Sequence, residues 1–241
     1  MDTLTTLSVI TLAALMHASF QLSVSMITLL SSHSAGNKRS PRHTTALVFS
    51  FLAGTMTMTM LLVSSLAYVA STSFGRNVPS VAWAVVCGLM IGLGIAIWAF
   101  YYRRQAGTAL WIPRGMARFL LQRTKATRWL AESYSLGLVS VVGEVLFVIV
   151  PSTAAALALL YLPRHLQLPA LLWYVLIASC GTALVAVLTS AGHHISSIQR
   201  WREDNKRFLQ FIAGSGFLVL GAFIYANIVA VAAAAGEVFV R

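Results

Sequence analysis

The sequence predicts an all-α integral membrane protein, with six transmembrane helices arranged as a 3+3 inverted-topology repeat. The first observation is the composition: 58% of the 241 residues are hydrophobic, only 10% are charged, and the mean hydropathy is +0.80. Soluble globular domains have about 45–50% apolar and about 25% charged residues. The second observation is six apolar runs, each long enough for a bilayer core that requires about 20 residues per helix. These runs occupy residues 6–32, 44–70, 79–102, 133–162, 168–193 and 207–235.

The basic residues predict the orientation of these spans. The net charge is +11, yet the Lys and Arg residues lie in short loops between apolar runs, which argues against nucleic-acid binding. All but three of the 17 basic residues fall in the first, third and fifth loops; the exceptions are Arg76, Arg164 and Arg241. By the positive-inside rule these loops face the cytoplasm, and both termini lie outside the cell inner (plasma) membrane. The N-terminus lacks a basic n-region, so we expect residues 5–32 to be kept as a helix and not cleaved as a signal peptide.

The third loop, residues 103–132, holds seven of the basic residues. From Pro113 it reads PRGMARFLLQRTKATRWL, which predicts an amphipathic helix lying at the membrane surface. Its arginines would contact anionic lipid headgroups. The alternative is a solvated basic linker that only sets the topology. The apolar residues expected to face the acyl chains are Met116, Phe119, Leu120 and Leu130.

An internal repeat relates the two halves of the chain. The segment CGLMIGLGIAIWAF (87–100) aligns with GSGFLVLGAFIYAN (214–227) at a shift of 127 residues, so that Leu93–Gly94 falls on Leu220–Gly221. Each half contains three spans, an odd number, so the second half is inverted relative to the first, as in many secondary transporters. The alternative is a chance match between Gly-rich helices. We expect one membrane domain (1–241), made of the first repeat (5–102), the basic connection (103–132) and the second repeat (133–235).

Glycines predict that the third and sixth spans pack closely. Gly88 and Gly92 form a GxxxG pattern, and Gly214 and Gly221 lie seven residues apart. Small residues at such spacings allow helix backbones to approach each other in lipid.

Two ionisable residues are predicted to lie at membrane depth. Glu144 has no charged residue within eleven positions on either side, and the shift of 127 places it on His17, the one histidine well inside a span. Because buried ionisable groups in membranes are costly, they are candidates for function. A His17–Glu144 pair would form a hydrogen bond, share a proton or bind a metal cation. The alternative is that the pair only holds the bundle together.

Polar neighbours extend this predicted site. Gln21 follows His17 by four residues and Ser140 precedes Glu144 by four, so each shares a helical face with its neighbour. Pro151 is expected to kink or break the fourth span and to free backbone carbonyls, and Ser152 and Thr153 follow it directly. No cofactor is expected, apart from the metal ion left open above.

The architecture resembles the LysE superfamily of membrane transporters. The features that carry the resemblance are six spans as 3+3, a long basic third loop, the proline-bearing fourth span SLGLVSVVGEVLFVIVP, and the endings VVCGLMIGLGIAIW and RFLQFIAGSGFLVLGAFIY. The superfamily includes amino-acid exporters, divalent-cation exporters and CcdA/DsbD-type thiol-electron carriers. Those carriers have cysteines in spans one and four, whereas this chain has Cys87 and Cys180 in spans three and five. Cation exporters of the superfamily place acids where this chain has His17 and Glu144.

Together these features predict a secondary transporter or exporter of a small solute or cation, proton-coupled through His17 and Glu144. The alternatives are a scaffold subunit of a larger membrane complex and a lipid translocator. An enzyme is not expected, because His193 and His194 lack an accompanying nucleophile, base and acid. The expected partners are the lipid bilayer and anionic headgroups, with a homo-oligomer or membrane complex left open.

Overall fold

The computed structural model describes residues 1–19, 26–27, 30, 40–75, 77–101, 114–191, 200–201 and 204–234. Within these ranges the chain is all-helical and contains no strand. The helices are α1 (Thr3–Ser19), α2 (Pro41–Phe74), α3 (Ser80–Tyr101), α4 (Arg114–Ala126), α5 (Leu130–Gly143), α6 (Val145–Leu159), α7 (Arg164–Ala178), α8 (Cys180–Ser190) and α9 (Lys206–Ile224). After α9 the helix continues through a π-helical turn (Tyr225–Val229) into α10 (Ala230–Ala234).

Three helices among the described residues are long and apolar enough to cross a membrane. They are α2 from Arg42, α3 up to Ala99, and the continuous helix Arg207–Ala234. The pairs α5–α6 and α7–α8 also qualify, but they are bent by 83° and 54°, so the number rises to five if each pair is one span. The prediction of an all-helical chain with several helices long and apolar enough to span a membrane is confirmed for the described residues. Six spans remain a prediction, because α1 is short and much of 20–39 lies outside the described residues.

Local sequence signals explain the ends of α2, the longest of these helices. The Ser40 hydroxyl oxygen accepts a hydrogen bond from the His43 N–H at 3.3 Å, and Pro41 occupies the first helical position. Both are favourable at a helix N-terminus. Gly75 ends the helix with φ 63°, a conformation that favours glycine, and its N–H donates to the Ser71 carbonyl.

Helix α1 packs against α6 and α7, α2 packs against α5 and α6, and α3 packs against α9. The contact between α2 and α5 is backbone on backbone. A Cβ atom added to Gly54 would collide with the Tyr134 carbonyl, and one added to Gly137 would collide with the Phe51 carbonyl. The two helices can therefore lie this close only because both positions are glycine.

The third and sixth predicted spans, α3 and α9, do pack together, but through other glycines than the GxxxG pair. A Cβ at Gly94 would lie 3.0 Å from the Gly214 carbonyl oxygen, whereas a Cβ at Gly88 or Gly92 would have no atom within 4 Å. The GxxxG stripe faces away from α9 because helix rotation, which spacing alone does not specify, turns it outward. The Cys87 thiol on the inner face donates to the Gly221 carbonyl at 3.0 Å.

The predicted amphipathic segment forms helix α4, which packs against α5. Leu120 is buried in this contact, while Phe119 and Leu130 are about half exposed. The predicted starting residue, Pro113, and the side chain of Met116 lie outside the described parts of the structure. The helix itself is confirmed, and its position at a membrane surface remains a prediction.

Candidate functional site

A chain of three buried polar side chains joins α1, α6 and α7. His17 on α1 is 5% exposed, and its Nδ1 lies 2.9 Å from the hydroxyl oxygen of Tyr174 on α7. The two rings meet edge to face with centroids 5.8 Å apart. The same hydroxyl lies 3.1 Å from Oγ of Ser152 on α6. Tyr174 and Ser152 are both fully buried, so Tyr174 connects a residue of the first half of the chain to one of the second.

Apolar packing brings these three helices together. Val9, Ile10, Ala13 and Ala14 give α1 a small buried face, and alanines of α6 at positions 154–156 belong to the same apolar cluster. A second polar link fixes α7 beside α1, because the indole N–H of Trp173 donates to the Thr11 hydroxyl at 3.1 Å. His17 is thus held against α7 by neighbours one to two turns away along α1.

Glu144 is 2% exposed and occupies the break between α5 and α6. Its backbone has φ −95° and ψ 1°, its N–H donates to the Val141 carbonyl, and its carbonyl accepts from Phe147 and Val148. The axis therefore turns by 83° at a single residue. Gly143 directly precedes the break, and glycine costs a helix about 1 kcal/mol relative to alanine.

The helix break does not lie at Pro151, the residue predicted to kink or break this span. Pro151 lies inside α6, which continues through it. Proline removes one backbone hydrogen bond, and the buried packing of Phe147, Val148 and Pro151 itself maintains the helix around that gap. The glycine before Glu144 was the signal that sequence reasoning overlooked.

The remaining predicted site residues are only partly placed. Ser140 is buried, and its hydroxyl donates to the carbonyl of Gly137 on its own helix at 2.7 Å. Gln21 lies outside the described residues. The pairing of His17 with Glu144 stays a prediction, while the hydrogen bond of His17 Nδ1 goes to Tyr174.

No group of three or more His, Cys, Asp or Glu side chains in the described ranges is arranged to hold a metal ion. A metal ion between His17 and Glu144 would need further ligands from other groups, and it stays a prediction. Tyr174 and Ser152 were not singled out as functional residues from the sequence. The available signal was a tyrosine in the apolar run LLWYVLIAS, because a buried tyrosine hydroxyl usually finds a hydrogen-bond partner.

The helices place this protein in the class of chains whose helices suit a multi-pass membrane protein, and three hydrogen-bonded polar side chains lie in its core. The sequence matches no protein-family model, and comparison with curated proteins and with solved structures returns no similar protein. The resemblance to the LysE superfamily therefore stays a prediction.

Proposed function

We propose that this protein is a secondary transporter that moves a small solute or cation across the inner membrane, with proton coupling through His17 and Glu144. The observation that carries this proposal is the buried chain from His17 through Tyr174 to Ser152. Ionisable groups at membrane depth are costly and often mark proton or substrate pathways.

The chain of hydrogen bonds can respond to a proton. When His17 Nδ1 is an acceptor, Tyr174 donates to it and Ser152 donates to Tyr174. When His17 is an imidazolium, both of its ring nitrogens are donors, so Tyr174 accepts from His17 and donates to Ser152 instead. One protonation therefore reverses two hydrogen bonds between three helices. This reversal gives proton binding a direct means of favouring one arrangement of the helices over another.

Two helix breaks lie close to this chain of hydrogen bonds along the sequence. Ser152 follows the break at Glu144 by eight residues, about 12 Å of helix, and Tyr174 precedes the break at Ser179 by five residues, about 7.5 Å. Interrupted helices inside membranes are tolerated where they are buried in protein or line a cavity, and transporters use them to bind substrates. The buried Glu144 carboxylate at one break would be the second proton or cation site.

The pattern of helix packing supports the inverted repeat. If α1, α2 and α3 correspond to α5–α6, α7–α8 and α9, exchanging the halves turns the α1–α7 contact into the contact of α2 with α5–α6. In the same way, α1 is replaced by α5–α6 and α9 by α3, so the α1–α9 contact becomes a contact of α3 with α6. All of these contacts occur in the structure. The first residues of α1 and α3 lie 127 and 126 residues before those of α5 and α9.

The contact between α3 and α9 supports the same register at the level of single residues. A shift of 127 places Gly94 on Gly221 and Cys87 on Gly214. Exchanging the halves therefore converts the Gly94–Gly214 contact into a contact between Gly221 and Cys87. Both contacts are present, with the Gly94 Cβ position 3.0 Å from the Gly214 oxygen and the Gly221 Cβ position 3.5 Å from the Cys87 oxygen. This arrangement favours a two-fold pseudo-axis through the α3–α9 crossing, the symmetry that relates the halves of many secondary transporters.

The test is transport by protein reconstituted into liposomes, with proton movement recorded by a pH-sensitive dye. The probes are Mn²⁺, Zn²⁺ and the common amino acids, applied one at a time under an imposed pH gradient. His17→Ala, Glu144→Gln and Tyr174→Phe should each reduce coupled proton movement. In Tyr174→Phe the two lost hydrogen bonds, worth about 1–2 kcal/mol together, correspond to roughly a fivefold to 30-fold loss.

Tyr161→Phe is the matched control. It also removes a tyrosine hydroxyl, one that accepts from the indole N–H of Trp83 at 3.2 Å, but it leaves the chain from His17 to Ser152 intact. Normal coupled transport in His17→Ala and Glu144→Gln across the pH range would contradict the proposal. Loss of a bound partner subunit in those variants, without any transport in the native protein, would instead favour the scaffold alternative.

A further inference from the structure

A groove of about 380 Å³ lies between α4 and the first three turns of α5, away from the His17 site. On α4 and the turn after it, the groove is lined by Phe119, Arg123, Ala126 and Thr127. On α5 it is lined by Ala131, Glu132, Ser135, Leu136 and Val139. This volume is typical of sites for small ligands and far exceeds that of one water molecule.

The lining changes character along α5. Glu132 and Ser135 lie in the first turns, and Leu136 and Val139 lie deeper, where the sequence predicts that the fourth span (133–162) enters the membrane. Trp129, in the turn between α4 and α5, is 71% exposed, as expected for an aromatic side chain at the membrane–water boundary. If the fourth span enters the bilayer where the sequence predicts, the groove has a polar end at the boundary and an apolar end inside the bilayer.

The polar end holds a guanidinium, that of Arg123, and a carboxylate, that of Glu132, within a segment rich in basic residues. The guanidinium of Arg123 stands over the Phe119 ring, 5.6 Å from its centroid, and carries five N–H donors of which stacking uses none. Glu132 is the acidic residue there, and it already accepts from the N–H groups of Arg128 and Trp129 at 2.7 and 3.1 Å. These hydrogen bonds lower the pKa of Glu132, and the one from the Arg128 N–H has the larger effect. The positive charges of Arg123 and Arg128 lower the pKa further.

We propose that this groove binds one anionic phospholipid, with its phosphate on Arg123 and one acyl chain along Leu136 and Val139. The Thr127 and Ser135 hydroxyls both donate to carbonyls of their own helices, which leaves the guanidinium as the donor directed at the headgroup. Five basic residues and one acidic residue lie between 114 and 132, so a zwitterionic lipid would gain less binding energy than an anionic one at the polar end of the groove. The bound lipid joins α4 to the membrane part of the bundle.

The experiment is native mass spectrometry of the whole chain in a non-ionic detergent. The protein is mixed with equimolar dioleoyl phosphatidylglycerol and dioleoyl phosphatidylcholine. The native protein should retain one phosphatidylglycerol in preference to phosphatidylcholine. Arg123→Gln should reduce that preference about tenfold or more, as expected when charge-assisted hydrogen bonds to the phosphate are lost. Lys125→Gln, which removes the same charge two residues away on α4 but outside the groove, should leave the preference unchanged.

A second pair of variants tests the apolar end without changing charge. Val139→Phe fills the groove and should lower retention of either lipid, whereas Val142→Phe adds the same ring to an exposed position outside the groove and should not. Equal losses in Arg123→Gln and Lys125→Gln would overturn the proposal in favour of general surface attraction. Unchanged retention in Val139→Phe, or displacement of the lipid by soluble glycerol phosphate at matched concentration, would also overturn it. None of these outcomes depends on transport.

Discussion

The glycine contact between α2 and α5 gives a sharp test of the packing. In Gly137→Ala the new methyl group would meet the Phe51 carbonyl oxygen well inside the 3.4 Å at which ordinary contact begins. The obstructing atom belongs to the helix backbone, so no side-chain rotation can relieve the collision. We therefore expect α2 and α5 to move apart by about 1 Å, which forfeits a quarter to a half of the attraction between the atoms that separate.

The expected loss in the free energy of unfolding of Gly137→Ala is the sum of three terms. Overpacking of this kind costs about 1–3 kcal/mol. Separation of the helices also stretches two hydrogen bonds at 2.7 Å, from the Ser50 hydroxyl to the Leu130 carbonyl and from the Ser133 hydroxyl to the Leu47 carbonyl. Bonds of this kind contribute about 0.6 kcal/mol each in membrane proteins. Alanine gains about 1 kcal/mol over glycine as a helix former, so the net loss is about 1–3 kcal/mol.

The assay is equilibrium unfolding in mixed micelles with increasing sodium dodecyl sulfate, followed by circular dichroism. Gly88→Ala is the control, because the same methyl group there meets no atom within 4 Å. Its stability should equal that of the native protein or exceed it by up to about 1 kcal/mol. If Gly137→Ala and Gly88→Ala unfold at the same detergent fraction, the close approach of α2 and α5 is wrong.

Two further predictions concern single groups. Tyr174→Phe should lower the free energy of unfolding by about 1–2 kcal/mol in the same assay, because His17 and Ser152 both lose a buried partner; stability equal to that of the native protein would contradict this. Glu132→Gln should reduce the pH dependence of the free energy of unfolding. The pKa of Glu132 in the folded protein is below its ordinary value of 4.5. Its contribution to stability is therefore present above pH 4.5 and is lost as the pH falls through the folded pKa. Unfolding measured between pH 7 and pH 3 should show a smaller decline in the variant than in the native protein, and equal declines would refute the assignment.

Sequence reasoning predicted the long straight helices well. The runs 44–70, 79–102 and 207–235 correspond to α2, α3 and the helix ending at Ala234, because apolar length is a local property that the bilayer thickness selects. A break in the fourth span was predicted at Pro151 but lies at Glu144, and the bend at Ser179 was not predicted. A bend depends on how the two arms pack against other helices, and hydropathy is the same whether a span is straight or broken.

Some residues of the candidate site could be predicted from the sequence and others could not. His17 and Glu144 were recognisable because a histidine or a glutamate within an apolar run is rare and costly, and both prove to be buried. The hydrogen-bond partner of His17 was not recognisable, because Tyr174 lies 157 residues away in an ordinary-looking hydrophobic segment. Likewise the GxxxG spacing at Gly88 indicated a close contact but not the direction it faces.

The sequence by itself determined that this chain forms apolar helices, that its charges collect in alternate loops, and that two ionisable residues lie inside predicted spans. These follow from residue type and spacing along one helix at a time. Only the tertiary structure decided which helices touch, where they bend, and that Tyr174 joins His17 to Ser152. The physical reason is that the rotation and crossing of packed helices are set by contacts between residues distant in the chain, and no single segment contains that information.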